Sequence, residues 1–463
     1  MRWREFNLYW YSTTPTPPST PSNEWTWING SSYPSSGIGQ AGVYGTLGTS
    51  SAGNVPGGRG ATAGWTDSSG NLWIFGGYGL DATGAMGNLD DIWKFSPTSG
   101  QWTWVGGSNA VGAAGVYGTE GVAAAQNTPG GRSVQVSWTD ASGNMWIFGG
   151  SNSSLSGTGG YLNDLWTLSP TTNMWTWMGG SQTPNTVGVY GSLGVPAAGN
   201  QPGGRDDSAY WIDANGNLWV FGGYGFVTPN STTDLADLWE YNPKTKVWTW
   251  VGGNNTGGTS GIYGTQGTSA ATNQPGARSF GCSWTDMSGN FWMFGGVGWD
   301  SKGARSQLND LWEFSPTTMQ WTWISGSNQV NATGSYGTLG AAATSNVPGA
   351  RFGCKTWKDG SGNLWLFGGK GYAASGVVGD LGDLWSFNPN TGQWTWMGGP
   401  NQVNGTGTYG SEGTPASSNT PANRSAATSF VDSSGKFWLF GGYAAQSSNP
   451  DQIFLNDLWT YKP

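Results

Sequence analysis

The stretch NMWIFGG at residues 144–150 decides how the chain is read. Its two alternating sets are both apolar, Met145 and Ile147 on one face of an extended strand, Trp146 and Phe148 on the other. A strand that is apolar on both faces belongs to a sheet covered on both sides. The glycine pair that ends it recurs, with the first Gly of FGG at 76, 149, 222, 295, 368 and 441, a constant step of 73 residues. An Arg keeps the same step (Arg59, Arg132, Arg205, Arg278, Arg351, Arg424), and so does a loop Tyr (Tyr44, Tyr117, Tyr190, Tyr263, Tyr336, Tyr409). Self-similarity at one fixed period is the mark of a repeat architecture.

Each unit holds four short runs rich in Trp, Phe and β-branched residues, such as RSVQVSWTD (132–140), NMWIFGG, DLWTLSP (164–170) and MWTWM (174–178), separated by Gly, Asn, Ser and Pro. These read as strands. No stretch has the helical periodicity of a covering helix, so neighbouring sheets must cover one another, as stacked four-stranded sheets around an axis do. The run beginning at each Arg carries Gly, Ala, Ser, Thr or Cys where the others carry Trp, which suits a crowded innermost strand. All Trp except Trp3, Trp10 and Trp299 fall on repeated strand positions, and each buried indole contributes on the order of 2–3 kcal/mol. A WTW tripeptide at Trp25 precedes the first FGG, and none follows the last. The expected fold is therefore all-β, a six-bladed β-propeller of four-stranded antiparallel blades spanning 23–463. Its ring is closed by the N-terminal outer strand joining three C-terminal strands, because open terminal edges invite aggregation.

Composition narrows the function. Charged residues make up 10% of the 463, against about 25% in an average protein. With 18 Lys and Arg spread along the chain, nucleic acid is not an expected partner. The absence of His removes imidazole-ligated metals and His-based nucleophilic catalysis, so no metal and no cofactor are expected. No apolar run approaches the roughly 18 residues of a membrane span, so membrane insertion is not expected. Residues 1–22 form an aromatic and then Pro/Ser/Thr-rich tail or linker (TTPTPPSTPS at 13–22), with no secretory signal visible in it. Cys282 and Cys354 show neither a disulfide framework nor metal spacing and read as free, small, buried side chains.

The glycine doublet ending the second strand, the aromatic of the third and the Trp of the fourth resemble the Kelch repeat. The resemblance covers residues 24–461, although Kelch units run near 50 residues and these run 73. The excess lies in uniform loops between units, such as GVYGTEGVAAAQNTPGG, which read as a structural collar. The resemblance implies a propeller that presents loops from one face to a protein or glycan ligand. It also reaches galactose oxidase-like copper enzymes, whose imidazole ligands this chain lacks, and sugar mutarotases of Kelch-like fold, which need a carboxylate and an Arg in the channel.

Within that frame each repeated Arg faces an Asp two strands away, a gap of about 9–10 Å that is open only if the strand between carries no side chain. The pairs expected are Arg59 with Asp91, Arg132 with Asp164, Arg205 with Asp237, Arg278 with Asp310, Arg351 with Asp383, and Arg424 with Asp457. These make a structural Arg ring. The Asp of each DxSGN hairpin, such as Asp140, reads as an Asx turn. Candidate binding residues lie where the repeat breaks: Trp299, Asp300, Lys302 and Arg305 in the fourth second-to-third loop, and Asp206 with Asp207 at the channel mouth. Exposed loop tyrosines, low charge and the tether fit a non-catalytic binding or structural module outside the cell or on its surface. The alternatives are a subunit of a surface layer or filament assembled through the aromatic tail, and a mutarotase-like enzyme using Asp206 or Asp207 with the Arg ring.

Overall fold

A computed structural model describes residues 22–34, 37–153, 159–446 and 449–463. The N-terminal segment with Trp3 and Trp10, and nearly all of the Pro/Ser/Thr tract, lie outside the described residues. The described chain is all-β. No helix among the described residues is long and apolar enough to cross a membrane. In the second unit the strands Val136–Thr139, Met145–Ser151, Tyr161–Ser169 and Met174–Gly179 pair antiparallel in chain order. The third unit repeats this with Ala209–Ile212, Leu218–Phe221, Leu238–Asn242 and Val247–Gly252. At the end of the chain Thr428–Val431, Phe437–Gln446 and Asn449–Tyr461 form three strands, and Trp25–Asn29 adds to the last of them, Trp25 opposite Tyr461 and Trp27 opposite Trp459.

Sheets pack face to face through the aromatic rows. Trp65, Trp73 and Phe75 of the first unit meet Met145, Ile147, Trp166 and Trp175 of the second in one buried cluster. Phe430, Trp438 and Phe440 of the last unit meet Ile74, Trp93 and Trp102 of the first in another. Trp299, off the repeat, is only partly buried and leans on the cluster between the third and fourth units.

The glycine doublets do more than clear a path. Gly149 and Gly150 have φ of 65° and 94°, a region that L side chains rarely occupy. A Cβ at Gly149 would lie 2.8 Å from the Arg205 carbonyl oxygen of the next unit. The doublet is thus a point of backbone contact between units.

The loops between units form the collar. Gly121 N–H donates to the Trp177 carbonyl at 2.8 Å and Asn127 Nδ2 to the Trp175 carbonyl at 3.1 Å, so the loop pads the open edge of the outer strand of its own unit. Covering an edge this way blocks sheet-to-sheet aggregation.

Two expectations are corrected. Cys282 and Cys354 are not free: they form a disulfide, with Cα atoms 5.9 Å apart. Cys282 opens the strand Cys282–Thr285 and Cys354 immediately precedes the strand Lys355–Lys358 of the next unit, so residues 72 apart in sequence stand side by side. The loop tyrosines are not exposed either. Tyr44, Tyr263 and Tyr336 are buried, and Tyr117, Tyr190 and Tyr409 are half-buried.

Candidate functional site

All six Arg–Asp pairs are present, with Nη1–Oδ1 distances of 2.5–2.7 Å and side chains at most 1% exposed. Each Arg also donates to the carbonyl of the first doublet Gly, at 2.9–3.3 Å. The corrected tyrosines explain themselves here, for each donates its hydroxyl to the second oxygen of the same Asp at 2.6–2.7 Å. The third-strand Trp adds its Nε1–H at 2.7–2.8 Å. Burial opposes ionisation of Asp383, but the Arg351 guanidinium outweighs it and holds the carboxyl below its ordinary range. These arginines are spent on the fold, so an Asp/Arg channel site has no arginine from this ring to use.

The DxSGN carboxylates are likewise occupied. Asp140 Oδ1 accepts the Ser142 and Asn144 N–H groups at 2.9 Å, and Oδ2 accepts Asn144 Nδ2 and Trp146 Nε1. In the fourth unit's loop, Asp300 accepts the N–H groups of Lys302, Ala304 and Val330 at 2.7, 2.9 and 3.2 Å. Asp81, three units earlier, holds Thr83, Ala85 and Val111 in the same way, so Asp300 is a turn residue. Arg305 pairs Cα register with Trp299 across the hairpin and sends its guanidinium to Asp234 of the neighbouring unit, Nη2–Oδ1 3.1 Å. Lys302 is exposed at the tip. The four residues share a hairpin but point their chemistry at different partners.

Asp206 and Asp207 occupy a different setting. Ala61, Val134, Asp207, Phe280, Gly353 and Ala426 stand one repeat apart, each with φ between 51° and 63°. Each N–H donates to the carbonyl of the residue one unit back, and Ala61 donates to Ala426, at 2.7–3.2 Å throughout. Asp207 is the one ionisable member of this backbone ring. Beside it lies a cavity of about 120 Å³ lined by Thr62, Gln135, Asp207, Ser208, Tyr210 and Lys355. A second chamber of about 460 Å³ shares Tyr210, Cys354 and Lys355 with it and adds Ser283, Thr356 and Ser429.

None of the ion pairs among the described residues involves Asp206, Asp207 or Lys355. Burial, reinforced by Asp234, pushes the Asp206 carboxyl up to about 8. Burial and the Asp206 charge push Asp207 well above its ordinary value, with Lys355 partly offsetting them. Burial pulls the Lys355 ammonium down to about 8, against the pull of Asp207. Tyr161 is raised to about 12 by burial and by Asp206.

Lys355 and Gln135 escaped the sequence reading. Lys355 takes an inner-strand position that holds Ala63, Val136, Ala209, Cys282 and Thr428 in the other units, and that lone charge among small residues was the available signal.

Residues 48–257 match the KLHDC2/KLHL20/DRC7 Kelch-repeats domain. Over those residues the chain is similar to a Kelch-repeat domain, and the described chain is all-β with several four-stranded antiparallel sheets. It is also 29% identical over 165 residues to the N-acetylneuraminate epimerase of Escherichia coli O9:H4 (strain HS), a match over 34% of this chain and 42% of that protein.

Proposed function

We propose that the six sheets are the blades of one closed propeller acting as a binding module outside the cell or on its surface, with its ligand site at the channel mouth around Asp206 and Asp207. The six-membered backbone ring, with Ala61 bonded to Ala426, supports closure, as do the pairing of Trp25–Asn29 with the last strand and the packing of last unit on first. The Cys282–Cys354 disulfide supports an oxidising compartment. Kelch repeats support a protein ligand, with glycan the other candidate.

The observation that carries the site is the contrast between carboxylates fully satisfied in every unit and two that have no ion-pair partner where the symmetry breaks. A glycan and protein-ligand screen on the whole chain, followed by Asp207→Ala and Trp299→Ala, tests it. Binding should fall at least tenfold in Asp207→Ala and hold in Trp299→Ala; a ligand indifferent to Asp207 removes the site.

A second reading, sugar-ring chemistry, is favoured by the adjacent carboxyls of raised pKa facing Lys355 and by the name of the partial relative. Anomer interconversion of N-acetylneuraminate, followed by NMR, would be accelerated by the chain and not by Asp207→Ala if this reading holds.

A further inference from the structure

Granted that the channel mouth is the ligand site, a reading on which this inference rests, we propose that the ligand is a protein or peptide that inserts the head group of an arginine or lysine side chain beside Asp206 and Asp207. Half-buried carboxylates with no counter-ion are costly, and a cationic head group is the species that relieves them. A second acceptor points the same way. Gln135 is 8% exposed and lines the cavity with Asp207; its Nε2 donates to the Phe75 carbonyl at 3.2 Å, while its Oε1 has no hydrogen-bond partner among the described residues. A guanidinium or ammonium in that space is a donor for both.

Size suits a head group in the space beside Asp207 itself, while the adjoining chamber of about 460 Å³ has room for the rest of a ligand. The cavity of about 120 Å³ holds the volume of about four waters, whereas pockets that enclose a whole small ligand start near 300 Å³. Tyr210 stands on the cavity wall with Asp207, and a tyrosine ring attracts a cation.

The opposing charge is Lys355, on the cavity wall. Asp234, the remaining carboxylate nearby, is already held by Arg305. Two unpaired carboxylates against one ammonium leave the mouth net negative when ionised. Because burial raises both carboxyls, protons compete with a bound cation for them. Affinity therefore rises as pH climbs toward about 8, where Asp206 ionises.

The test is calorimetric titration of the full chain with N-acetyl-arginine amide, N-acetyl-lysine amide and, as the neutral control, N-acetyl-glutamine amide, at pH 6 and pH 8.5. The expected result is binding of the arginine probe about tenfold tighter at pH 8.5, with proton release, and no binding of the glutamine probe. Asp207→Asn, nearly isosteric, should lose about tenfold with an unchanged melting curve. Lys355→Met should gain several-fold by removing the like charge. Equal binding of the glutamine probe, a flat pH response, no binding of either basic probe, or Asp207→Asn within twofold of the parent overturns the proposal. If the ligand screen yields a glycan or protein lost in Asp207→Ala that the arginine probe neither resembles nor displaces, the head-group inference falls while the site stands. If no ligand depends on Asp207, both fall.

Discussion

Two sets of aspartates, one buried and one half-buried, behave in opposite ways. Asp383 receives two guanidinium bonds from Arg351, a hydroxyl from Tyr336 and an indole N–H from Trp385. Asp207 has no ion pair among the described residues and sits by a cavity. The first arrangement recurs in every unit and holds the second, third and inter-unit segments together. The second occurs once. The difference teaches that burial of a carboxylate is not itself a sign of function: what separates scaffold from site is whether the fold already supplies the partners.

The sharpest way to break the comparison is to turn a scaffold aspartate into an unpaired one. Arg351→Met leaves Asp383 buried and uncompensated and should cost about 3–5 kcal/mol in denaturant unfolding, with Asp383→Asn added to it recovering part of the loss. The parent pair has a matching pH signature. Asp383 is held below its ordinary 3.8, so its contribution is present above that value and disappears as pH falls through the lower folded value. Full stability at pH 2 would contradict a pair that matters.

Next in size is the disulfide that borders the site. Cys282→Ser with Cys354→Ser releases a cross-link between residues 72 apart and should lower stability by about 2–4 kcal/mol, read by thermal or denaturant unfolding with and without reductant. Parent and variant unfolding alike under oxidising conditions would count against it.

Asp206→Asn sharpens the comparison from the other side. Its folded pKa is raised from 3.8 to about 8, so ionisation costs stability progressively as pH rises between those values and costs nothing below them. The variant should gain about 2 kcal/mol at pH 8, discounted for its partial exposure, and nothing at pH 4. A gain independent of pH would show that charge is not the cause.

The smallest effect concerns the backbone ring. Val134 is β-branched at φ 56°, where the equivalent residue of the fifth unit is Gly353. Val134→Gly should therefore be stabilising by up to about 1 kcal/mol, measured by the unfolding midpoint.

Much of this was legible in the sequence because the repeat projects geometry onto one dimension. Arg351 and Asp383 keep their offset in each unit, or within one residue of it in the last, so a contact two strands apart could be read from spacing and from the glycines between. Tyr336 shared the period, yet its partner did not follow, because a loop residue's depth depends on how the collar folds back over its sheet. The sequence also showed Asp206 and Asp207 as an interruption of the repeat, but not what surrounds them. Trp299, Asp300, Lys302 and Arg305 looked equally irregular and turned out to serve a packed cluster, a turn, solvent and a neighbouring carboxylate in that order.

By itself, then, the order of residues determined the period, the strands, the aromatic packing rows and the Arg–Asp pairs, since all of these depend on contacts within a unit or between identical faces. Only the tertiary structure decided that Asp207, Gln135 and Lys355 share one cavity and that Cys282 reaches Cys354. Those neighbours come from four different units, and their proximity exists only because the first strands of units distant in the chain pack beside one another.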